Sequence, residues 1–387
     1  MHLCVVSSKE CWQDGSGAWY SYGGFPLQMQ AITALFDAAT LIVVRSTPRD
    51  GGMPLPGHAR VVALPEPPGT GWKRKLAVGA ALPHYAAVMA RHMRDADAVH
   101  VPLPGDLSLV GLVTALTMGK RCVARYGGSW TANSETTVMN RMTRVCMRTA
   151  ARGKHVMLAT GDPNEPADHG VQWLFASVVS RDELAPPASL ARGLSSSPQL
   201  ACLGRLSPEK GVIHLVRAMA RLASRQTGTL PQLTIIGDGP ARAALEREAR
   251  NAGSATIRFV GQLPRTQVIP LLRRMDLCVQ PSLSESLCKA WLDAMAQGLP
   301  VISSDVGAAR TVFGRPGERG WIVPPGDPDR LADVIHDVIT TPIDWPALRA
   351  RCLDYARTRT VDAWARHIAE LCAARWGCRV LNGRLAW

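Results

Sequence analysis

Residues 281–310 constrain the fold more than any other segment, because a strand end, a polar loop, a helix and a second strand fit within them. A proline and three serines interrupt the apolar run that begins at 277–279, as expected where a strand leads through a loop into a helix N-terminus. Residues 290–297 have helical periodicity, and Gly298 suits a left-handed C-cap before the strand at 301–302. In parallel sheets built from such units, ligands bind beyond the carboxyl ends of the strands. The sequence therefore predicts a ligand site in the loop before this helix.

Strand and helix patterns alternate along the whole chain. Apolar strand patterns recur at residues 2–6, 41–44, 61–64, 98–101, 121–124, 156–159, 200–203, 233–236, 257–260, 277–279, 301–302 and 321–323. Helical periodicity fills most of the intervals between them. This alternation predicts an α/β fold with doubly wound parallel sheets covered by helices. A length of 387 residues fits two such domains of about 150–200 residues each.

A segment rich in proline, glycine and serine separates the two halves. Residues 183–198 contain Ala-Pro-Pro-Ala and Ser-Ser-Ser-Pro runs, a composition typical of linkers. We therefore predict an N-terminal domain over 1–182, a linker over 183–198 and a second domain over 199–360. The tail from Trp345 to Trp376 has a helical pattern.

The composition limits the classes of partner. A formal charge of +13 favours an anionic partner, which could be nucleic acid, acidic lipid or a phosphorylated small molecule. Nucleic acid is disfavoured because aromatic residues make up only 5% of the chain and no nucleic-acid module is recognisable. The ten cysteines are scattered and form no Cys-x-x-Cys pair, so we predict neither a zinc site nor a disulfide framework.

The expected location is the cytoplasm. No apolar run approaches the roughly 20 residues that a membrane-spanning helix needs, and the N-terminus passes directly into a strand pattern. Two basic segments raise the further hypothesis of peripheral attachment to the inner face of a membrane. They are Trp72-Lys73-Arg74-Lys75 and the helical row Arg141, Arg144, Arg148 and Arg152. A solvated basic face is the alternative interpretation of both.

Three glycine-containing loops follow predicted strands in the second half. In residues 204–211, Arg205 and Lys210 lie five positions apart next to a helix start, which suits a diphosphate. Gly237 and Gly239 follow the next strand, where the backbone must turn tightly or approach a ligand. Gly261 follows the strand after that. A plain turn is the alternative at each pair of glycines.

Together these segments resemble the family-four retaining glycosyltransferases of the GT-B fold. The resemblance rests on Glu285, an acid eight positions later at Asp293, then Ala-Met-Ala, Gly-x-Pro-Val-Ile and Ser-Asp-x-Gly. Residues 204–211 match the family's Gly-Arg-Leu-x-x-x-Lys-Gly segment throughout. Ser286, Asp293 and Ala308 depart from the family pattern, which usually has Gly, Glu and Gly at these positions. The resemblance implies two Rossmann-like domains facing a cleft, with residues 361–387 packing back towards the N-terminal domain.

The resemblance also implies roles for individual residues. Arg205 and Lys210 would hold the donor pyrophosphate and Glu285 the donor sugar, and these three form the implied catalytic set. Asp293 would bind the ribose. The other implied donor-binding positions are Ser286, Leu287, Cys288, Lys289, Gly237, Gly239, Gly261 and Gly24. The implied acceptor-side positions are Gly23, Tyr126, Gly127 and Gly128. No metal and no cofactor is implied, since the nucleoside diphosphate sugar is itself the donor substrate.

The predicted function is transfer of a sugar from a nucleoside diphosphate sugar to a hydroxyl acceptor, with retention of configuration. The acceptor class stays open among polysaccharide, glycolipid and small molecule. Two alternatives also stay open. One is a nucleotide-sugar epimerase of the same fold, because fold alone does not fix the reaction. The other is a non-catalytic nucleotide-sugar-binding partner subunit, because of the departures at Ser286, Asp293 and Ala308.

Overall fold

The structure is a computed structural model, and it divides the chain into two compact units. Unit 1 comprises Met1–Val178 and Val361–Trp387, and unit 2 comprises Val179–Thr360. The residues described are 1–49, 51–66, 68–69, 71–128, 130, 137–161, 168–225, 230–252 and 256–387, with only the main chain described at 71–76.

The strands and helices follow the predicted alternation. The strands are β1 (His2–Gln13), β2 (Trp19–Ser21), β3 (Ala38–Arg45), β4 (Met53–Pro54), β5 (Ala59–Leu64), β6 (Ala98–Leu103), β7 (Arg121–Tyr126), β8 (Val156–Thr160), β9 (Gln172–Leu174), β10 (Gln199–Leu203), β11 (Gln232–Ile236), β12 (Ile257–Gly261), β13 (Leu277–Gln280), β14 (Val301–Ser304), β15 (Gly320–Val323), β16 (Arg379–Leu381) and β17 (Arg384–Ala386). The helices are α1 (Phe25–Thr33), α2 (Gly71–Met93), α3 (Asp106–Thr117), α4 (Val138–Ala150), α5 (Val212–Ser224), α6 (Arg242–Asn251), α7 (Arg265–Leu272), α8 (Lys289–Ala296), α9 (Ala309–Phe313), α10 (Pro328–Thr340), α11 (Trp345–Arg357) and α12 (Val361–Trp376).

Each unit is built on a parallel sheet whose strand order reverses once. In unit 1 the parallel strands lie in the order β5-β3-β1-β6-β7-β8-β9, and β2 adds antiparallel to β1. In unit 2 the order is β12-β11-β10-β13-β14-β15. The switch points therefore lie between β1 and β6 and between β10 and β13, where open α/β sheets bind ligands.

Burial on both faces explains the continuous apolar runs of the strands. Along β1, Leu3 and Val5 pack into one core of unit 1, while Cys4 and Val6 pack into the core on the opposite face. All four side chains are fully buried. A strand that is covered on both faces cannot alternate between apolar and polar residues.

The predicted linker is wrong, because residues 183–198 are packed into unit 2. The Ala185 N–H donates to Ala296 O at 2.8 Å, and Leu190 packs against Leu353. The Arg192 guanidinium donates to Asp276 at 3.0 Å. Two short 3-10 turns, Arg181–Glu183 and Pro187–Leu190, lie at and within this segment, which is not a flexible connection.

The helical tail is interrupted at the boundary between the units. Helix α11 belongs to unit 2, whereas α12 belongs to unit 1. In unit 1, Trp364 of α12 is fully buried in the core that also contains Met29 of α1. The chain then ends in the hairpin β16–β17, which the sequence did not predict.

The predicted basic row is only partly solvent-facing, since Arg141 and Arg152 are exposed whereas Arg144 is buried and Arg148 is half-buried. Arg144 is only 6% exposed, with its guanidinium 5.5 Å from the centre of the Tyr126 ring. Arg148 donates to the Asp168 carboxylate at 2.6 Å. The exposed row on α4 is apolar instead, comprising Val138, Met142 and Val145. The side chains of Trp72-Lys73-Arg74-Lys75 fall outside the described residues, and within the described part of the chain no helix is both long and apolar enough to cross a membrane.

Candidate functional site

The candidate donor site lies at the switch point of the unit 2 sheet. Strands β10 and β13 are parallel neighbours, and Leu200 and Leu277 are partners in their register. The loops that follow them, 204–211 and 281–288, carry the two motifs that the sequence singled out. Their meeting at one sheet edge follows from topology, because parallel strands end on the same side.

These two loops are joined by a direct ion pair. The Lys210 ammonium donates a hydrogen bond to Glu285 Oε1, which also accepts from the Ser282 hydroxyl at 3.1 Å. Burial acts to lower the pKa of Lys210, but the adjacent Glu285 carboxylate outweighs it, so the net pKa lies above the usual value. Lys210 is therefore a fixed positive charge at neutral pH, held at the carboxyl edge of the sheet.

Arg205 is the solvent-facing cation of the same loop. Its side chain is exposed, and the part of the chain that the structure describes gives it no ion pair. The loop contacts the segment after β13 through Gly211, which has φ +60°. A Cβ at Gly211 would lie 2.1 Å from Pro281 O, so only glycine permits this approach.

The glycines after β11 allow a similar close approach between two loops, on the other side of β10. Gly237 has φ +139°, and a Cβ there would lie 1.9 Å from Gly204 O. A Cβ at Gly239 would lie 2.3 Å from Leu206 O. Gly261 accepts from the Gly237 N–H at 2.8 Å. The predicted nucleotide-pocket glycines are thus brought together, and their direct role in this structure is to let three loops pack backbone to backbone.

The loop before α8 presents its backbone rather than most of its side chains. Ser286 O accepts from the Ala308 N–H at 3.0 Å, while Cys288 is 6% exposed, and burial raises the pKa of its thiol. Leu287 is half-buried and Lys289 is exposed. Helix α8 starts after Cys288 without a side-chain cap, so the positive end of its dipole faces this loop.

Asp293 takes part in an ion-pair network that the sequence did not indicate. Asp293 Oδ1 accepts from Arg265 at 2.9 Å, and the same guanidinium makes two hydrogen bonds to Glu183. Asp293 is 7% exposed, and this burial raises its pKa, whereas Arg265 acts in the opposite direction. The carboxylate implied to bind ribose is therefore oriented by an arginine at the start of α7.

The predicted acceptor-side residues lie at the carboxyl edge of the unit 1 sheet. Gly23 has φ +69°, and a Cβ at Gly24 would lie 1.9 Å from Val178 Cγ1. Tyr126 is 1% exposed, so its ring is a core side chain rather than a surface for a sugar. Gly127 is exposed and Gly128 half-buried, so their backbone forms the accessible part of this turn.

A cavity of about 280 Å³ lies at the switch point of the unit 1 sheet. Its lining includes Ser8 of β1, Tyr85 of α2 and the start of α3 at Asp106 and Leu107. Ser8 is held in place by Ser108, whose N–H donates to Ser8 Oγ at 3.0 Å. The sequence analysis did not single out this cavity.

Three residues at these edges were missed by sequence reasoning. Arg265 follows Gly261 by four positions, and only the tertiary contact with Asp293 reveals it. Gly307 has φ +52°, and a Cβ there would lie 2.5 Å from Glu285 O. Its signal was present in the Ser-Asp-x-Gly motif. Arg125 precedes the acceptor-side turn and is a buried cation.

Comparisons with solved structures define the class of fold. Sucrose-phosphate synthase from Thermosynechococcus elongatus matches 97% of this chain and 99% of its own chain, with a TM-score of 0.75 at 17% identity. Anabaena HepE in complex with UDP-glucose matches 97% of this chain and 100% of its own, with a TM-score of 0.71 at 18% identity. The predicted α/β class, with two Rossmann-like units of the GT-B type, is confirmed.

Comparisons with sequences find a family model and relatives that match part of the chain. Residues 193–359 match the family model described as glycosyl transferases group 1. The GDP-mannose-dependent alpha-mannosyltransferase of Mycobacterium tuberculosis is 29% identical over 66% of this chain and 69% of its own length. The 2-deoxystreptamine glucosyltransferase of Streptomyces kanamyceticus is 33% identical over 38% of this chain and 37% of its own length. Residues 193–359, less than half of the chain, are therefore similar to the group 1 glycosyltransferases, and the predicted enzyme class, glycosyltransferase, is confirmed.

Proposed function

We propose that the chain transfers a glycosyl group from a nucleoside diphosphate sugar to a hydroxyl acceptor, with retention of anomeric configuration. The observation that carries the proposal is the Lys210–Glu285 contact at the β10/β13 switch point, with exposed Arg205 on the same loop. This arrangement gives two cations for a diphosphate and one carboxylate for sugar hydroxyls. The relatives named for GDP-mannose and HepE solved with UDP-glucose support a nucleotide-sugar donor.

The proposed mechanism relies on charge stabilisation at the leaving group. As the glycosidic bond breaks, negative charge develops on the diphosphate. Arg205, Lys210 and the N-terminal end of α8 then act as preorganised positive groups. Glu285 gives up part of its contact with Lys210 as it accepts hydrogen bonds from the sugar hydroxyls. Asp293, which is oriented by Arg265, accepts hydrogen bonds from the ribose hydroxyls. Departure of the diphosphate on the face that the acceptor hydroxyl enters gives retention, and the leaving phosphate takes the acceptor proton.

The acceptor is proposed to bind unit 1. Its cavity at the β1/β6 switch point offers Ser8 and an apolar wall to a hydroxylated substrate. Transfer is favoured over an epimerase because the named relatives are glycosyltransferases. The absence of a cofactor or metal requirement stays a prediction.

Turnover with a panel of donors tests the proposal. We expect one nucleoside diphosphate sugar to be consumed only when an acceptor is present, and proton NMR to show that the product keeps the donor's anomeric configuration. An inverted product would contradict the retaining mechanism but leave the transferase class intact. Conversion of the donor to its epimer without acceptor would support the epimerase instead.

Peripheral attachment to an anionic membrane is proposed through α4 rather than through an arginine row. Val138, Met142 and Val145 form an exposed apolar row at helical spacing, with Arg141 exposed beside them. The net charge of +13 complements acidic headgroups, and an apolar row flanked by cations is typical of interfacial helices. Cytoplasmic location stays a prediction alongside it.

Vesicle sedimentation tests this attachment. We expect the protein to pellet with phosphatidylglycerol vesicles and not with phosphatidylcholine vesicles, and Val145→Asp to reduce the pelleted fraction severalfold. Val113→Asp is the matched control, because Val113 is an exposed valine on α3. An equal loss of pelleted protein in both variants would show that the substitutions act by changing the net charge and not by changing the α4 surface.

A further inference from the structure

Arg125 is a buried cation in unit 1. It is 8% exposed and stands next to the carboxyl end of β7. One guanidinium nitrogen donates to Gln28 Oε1 at 3.0 Å, and the group lies 5.7 Å from the centre of the Trp364 ring. Among the described residues, its Nε atom has no hydrogen-bond partner. The guanidinium is thus only partly satisfied by the chain itself.

The positive charge of Arg125 is not balanced by a carboxylate among the described residues. A more deeply buried arginine has a counter-charge, since Arg349 at 1% exposure lies 3.2 Å from the Asp276 carboxylate. Burial lowers the pKa of Arg125 to about 10, so the group is protonated at neutral pH. A buried charge without a counter-charge is costly, and an anion that binds there relieves the cost.

The neighbour of Arg125 on β6 is a neutral group. His100 is fully buried, and burial, with Arg125 as a second cause, lowers its pKa to about 3. Its Nδ1 bonds to Val123 O at 3.0 Å, while Nε2 has no partner in the part of the chain that the structure describes. His100 therefore supplies no negative charge to Arg125.

Other polar groups share the sheet face of Arg125. Arg125 is paired in register with Leu158, so Thr160, two residues further along β8, faces the same side. The Thr160 hydroxyl is buried and has no hydrogen-bond partner within the described ranges. Gln28 of α1 is held by its own bond to Ser177 O at 2.9 Å, which fixes the amide that orients the guanidinium. A guanidinium and a hydroxyl are groups that bind phosphate or carboxylate.

Gly127 leaves the guanidinium close to solvent. A Cβ at Gly127 would lie 3.6 Å from Arg125 Nη1, so the glycine turn passes directly over this nitrogen. Gly127 itself is exposed. Arg125 therefore lies directly beneath an exposed turn at the carboxyl edge of the sheet.

We propose that Arg125 binds an oxyanion, a phosphate or carboxylate group carried by a substrate, at the carboxyl end of β7. Two substrates could supply this oxyanion. One is an acidic or phosphorylated acceptor, and the other is the donor, through its diphosphate. The assignment to a source rests on the proposed transferase function. The oxyanion site itself does not, because inorganic phosphate alone can occupy it.

Inorganic phosphate is the first probe, with the donor-site cations removed. In the Arg205→Ala/Lys210→Ala protein, phosphate at constant ionic strength is expected to raise the melting temperature relative to chloride. Adding Arg125→Gln should abolish this rise. Adding Arg121→Gln, which removes an arginine from the opposite end of the same strand, should leave it. A full phosphate effect in the Arg125→Gln protein would overturn the proposal.

The variant is expected to fold, because Arg125→Gln removes a charge that the chain leaves unbalanced. Arg125→Lys provides a second measurement that keeps the charge but loses the planar fork. We expect it to bind phosphate more weakly than arginine and more tightly than glutamine. Equal phosphate binding in all three proteins would contradict an arginine site.

Titration of the single Arg125→Gln variant distinguishes the two sources. Loss of affinity for glucose 6-phosphate of about tenfold, with GDP unchanged, would assign the anion to the acceptor. The same loss for GDP alone would assign it to the donor. Unchanged affinity for both would exclude substrate binding by Arg125. Failure of every donor to turn over would remove the transferase proposal and leave the phosphate result standing.

Discussion

Replacing Lys210 by alanine is expected to lower kcat by about 10²- to 10³-fold, the usual cost of removing one preorganised group that stabilises developing charge. Lys210 lies in the loop after β10 and forms an ion pair with Glu285. Its loss therefore removes positive charge at the place where the diphosphate leaves. It also leaves the Glu285 carboxylate, which is 11% exposed, without its cation. We expect turnover to fall more than donor affinity, because the charge develops mainly in the transition state.

The matched control for this variant is Arg217→Ala. Arg217 belongs to α5, the helix that follows the same loop, and its exposed side chain pairs with Glu248. This change removes one cation from unit 2 without touching either loop of the site, so kcat should be unchanged. A comparable loss of kcat in both variants would mean that kcat depends on the net charge of unit 2 and not on the position of Lys210. Circular dichroism of both proteins checks that each is folded.

Replacing Arg265 by alanine is expected to lower the free energy of unfolding by about 3 kcal/mol, as for other buried pairs that lose one partner. The guanidinium is 16% exposed and bonds two carboxylates, Asp293 and Glu183. Without it these two acids lose the cation that hydrogen-bonds to both of them. Arg273→Ala is the control, because this arginine near the end of α7 bonds an amide oxygen of Gln297 instead.

The stability deficit of Arg265→Ala should depend on pH. Burial already raises the pKa of Asp293, and removal of Arg265, which opposes that rise, raises it further. A carboxyl whose pKa is higher in the folded state than in the unfolded state favours folding as the pH falls. Chemical denaturation should therefore show a deficit that is largest near pH 7 and shrinks towards the ordinary aspartate pKa of about 4. A stability deficit that grows on acidification would contradict the raised pKa of Asp293 as its cause.

The parts of the fold that the sequence predicted are those with a local signal. The β13–α8–β14 segment was predicted because a strand, a loop, a helix and a C-cap glycine follow one another within a few turns. Helix α8 begins at Lys289, close to the predicted start. The meeting of Lys210 with Glu285 was also accessible, since adjacent parallel strands bring their following loops together.

The parts that escaped prediction depend on tertiary contacts. Residues 183–198 look like a linker by composition, but Leu190 and Arg192 are fixed by Leu353 and Asp276, which lie far away in sequence. The arginines of α4 have the spacing of an exposed face, yet Tyr126 and Asp168 cover two of them. Helical periodicity specifies which residues share a face, and it does not specify which face is buried.

Calorimetric titration of nucleoside diphosphates is the most direct test of the central claim, that the β10/β13 edge of unit 2 binds the diphosphate of the donor. UDP, GDP and ADP should be titrated into the unmodified protein, Arg205→Ala and the control Arg217→Ala. Arg205 is exposed and makes no ion pair among the described residues, so its removal leaves the fold intact. We expect at least one diphosphate to bind, Arg205→Ala to weaken its binding about tenfold, and Arg217→Ala to bind it normally. Equal affinity in all three proteins, or no binding of any diphosphate to the unmodified protein, would contradict it.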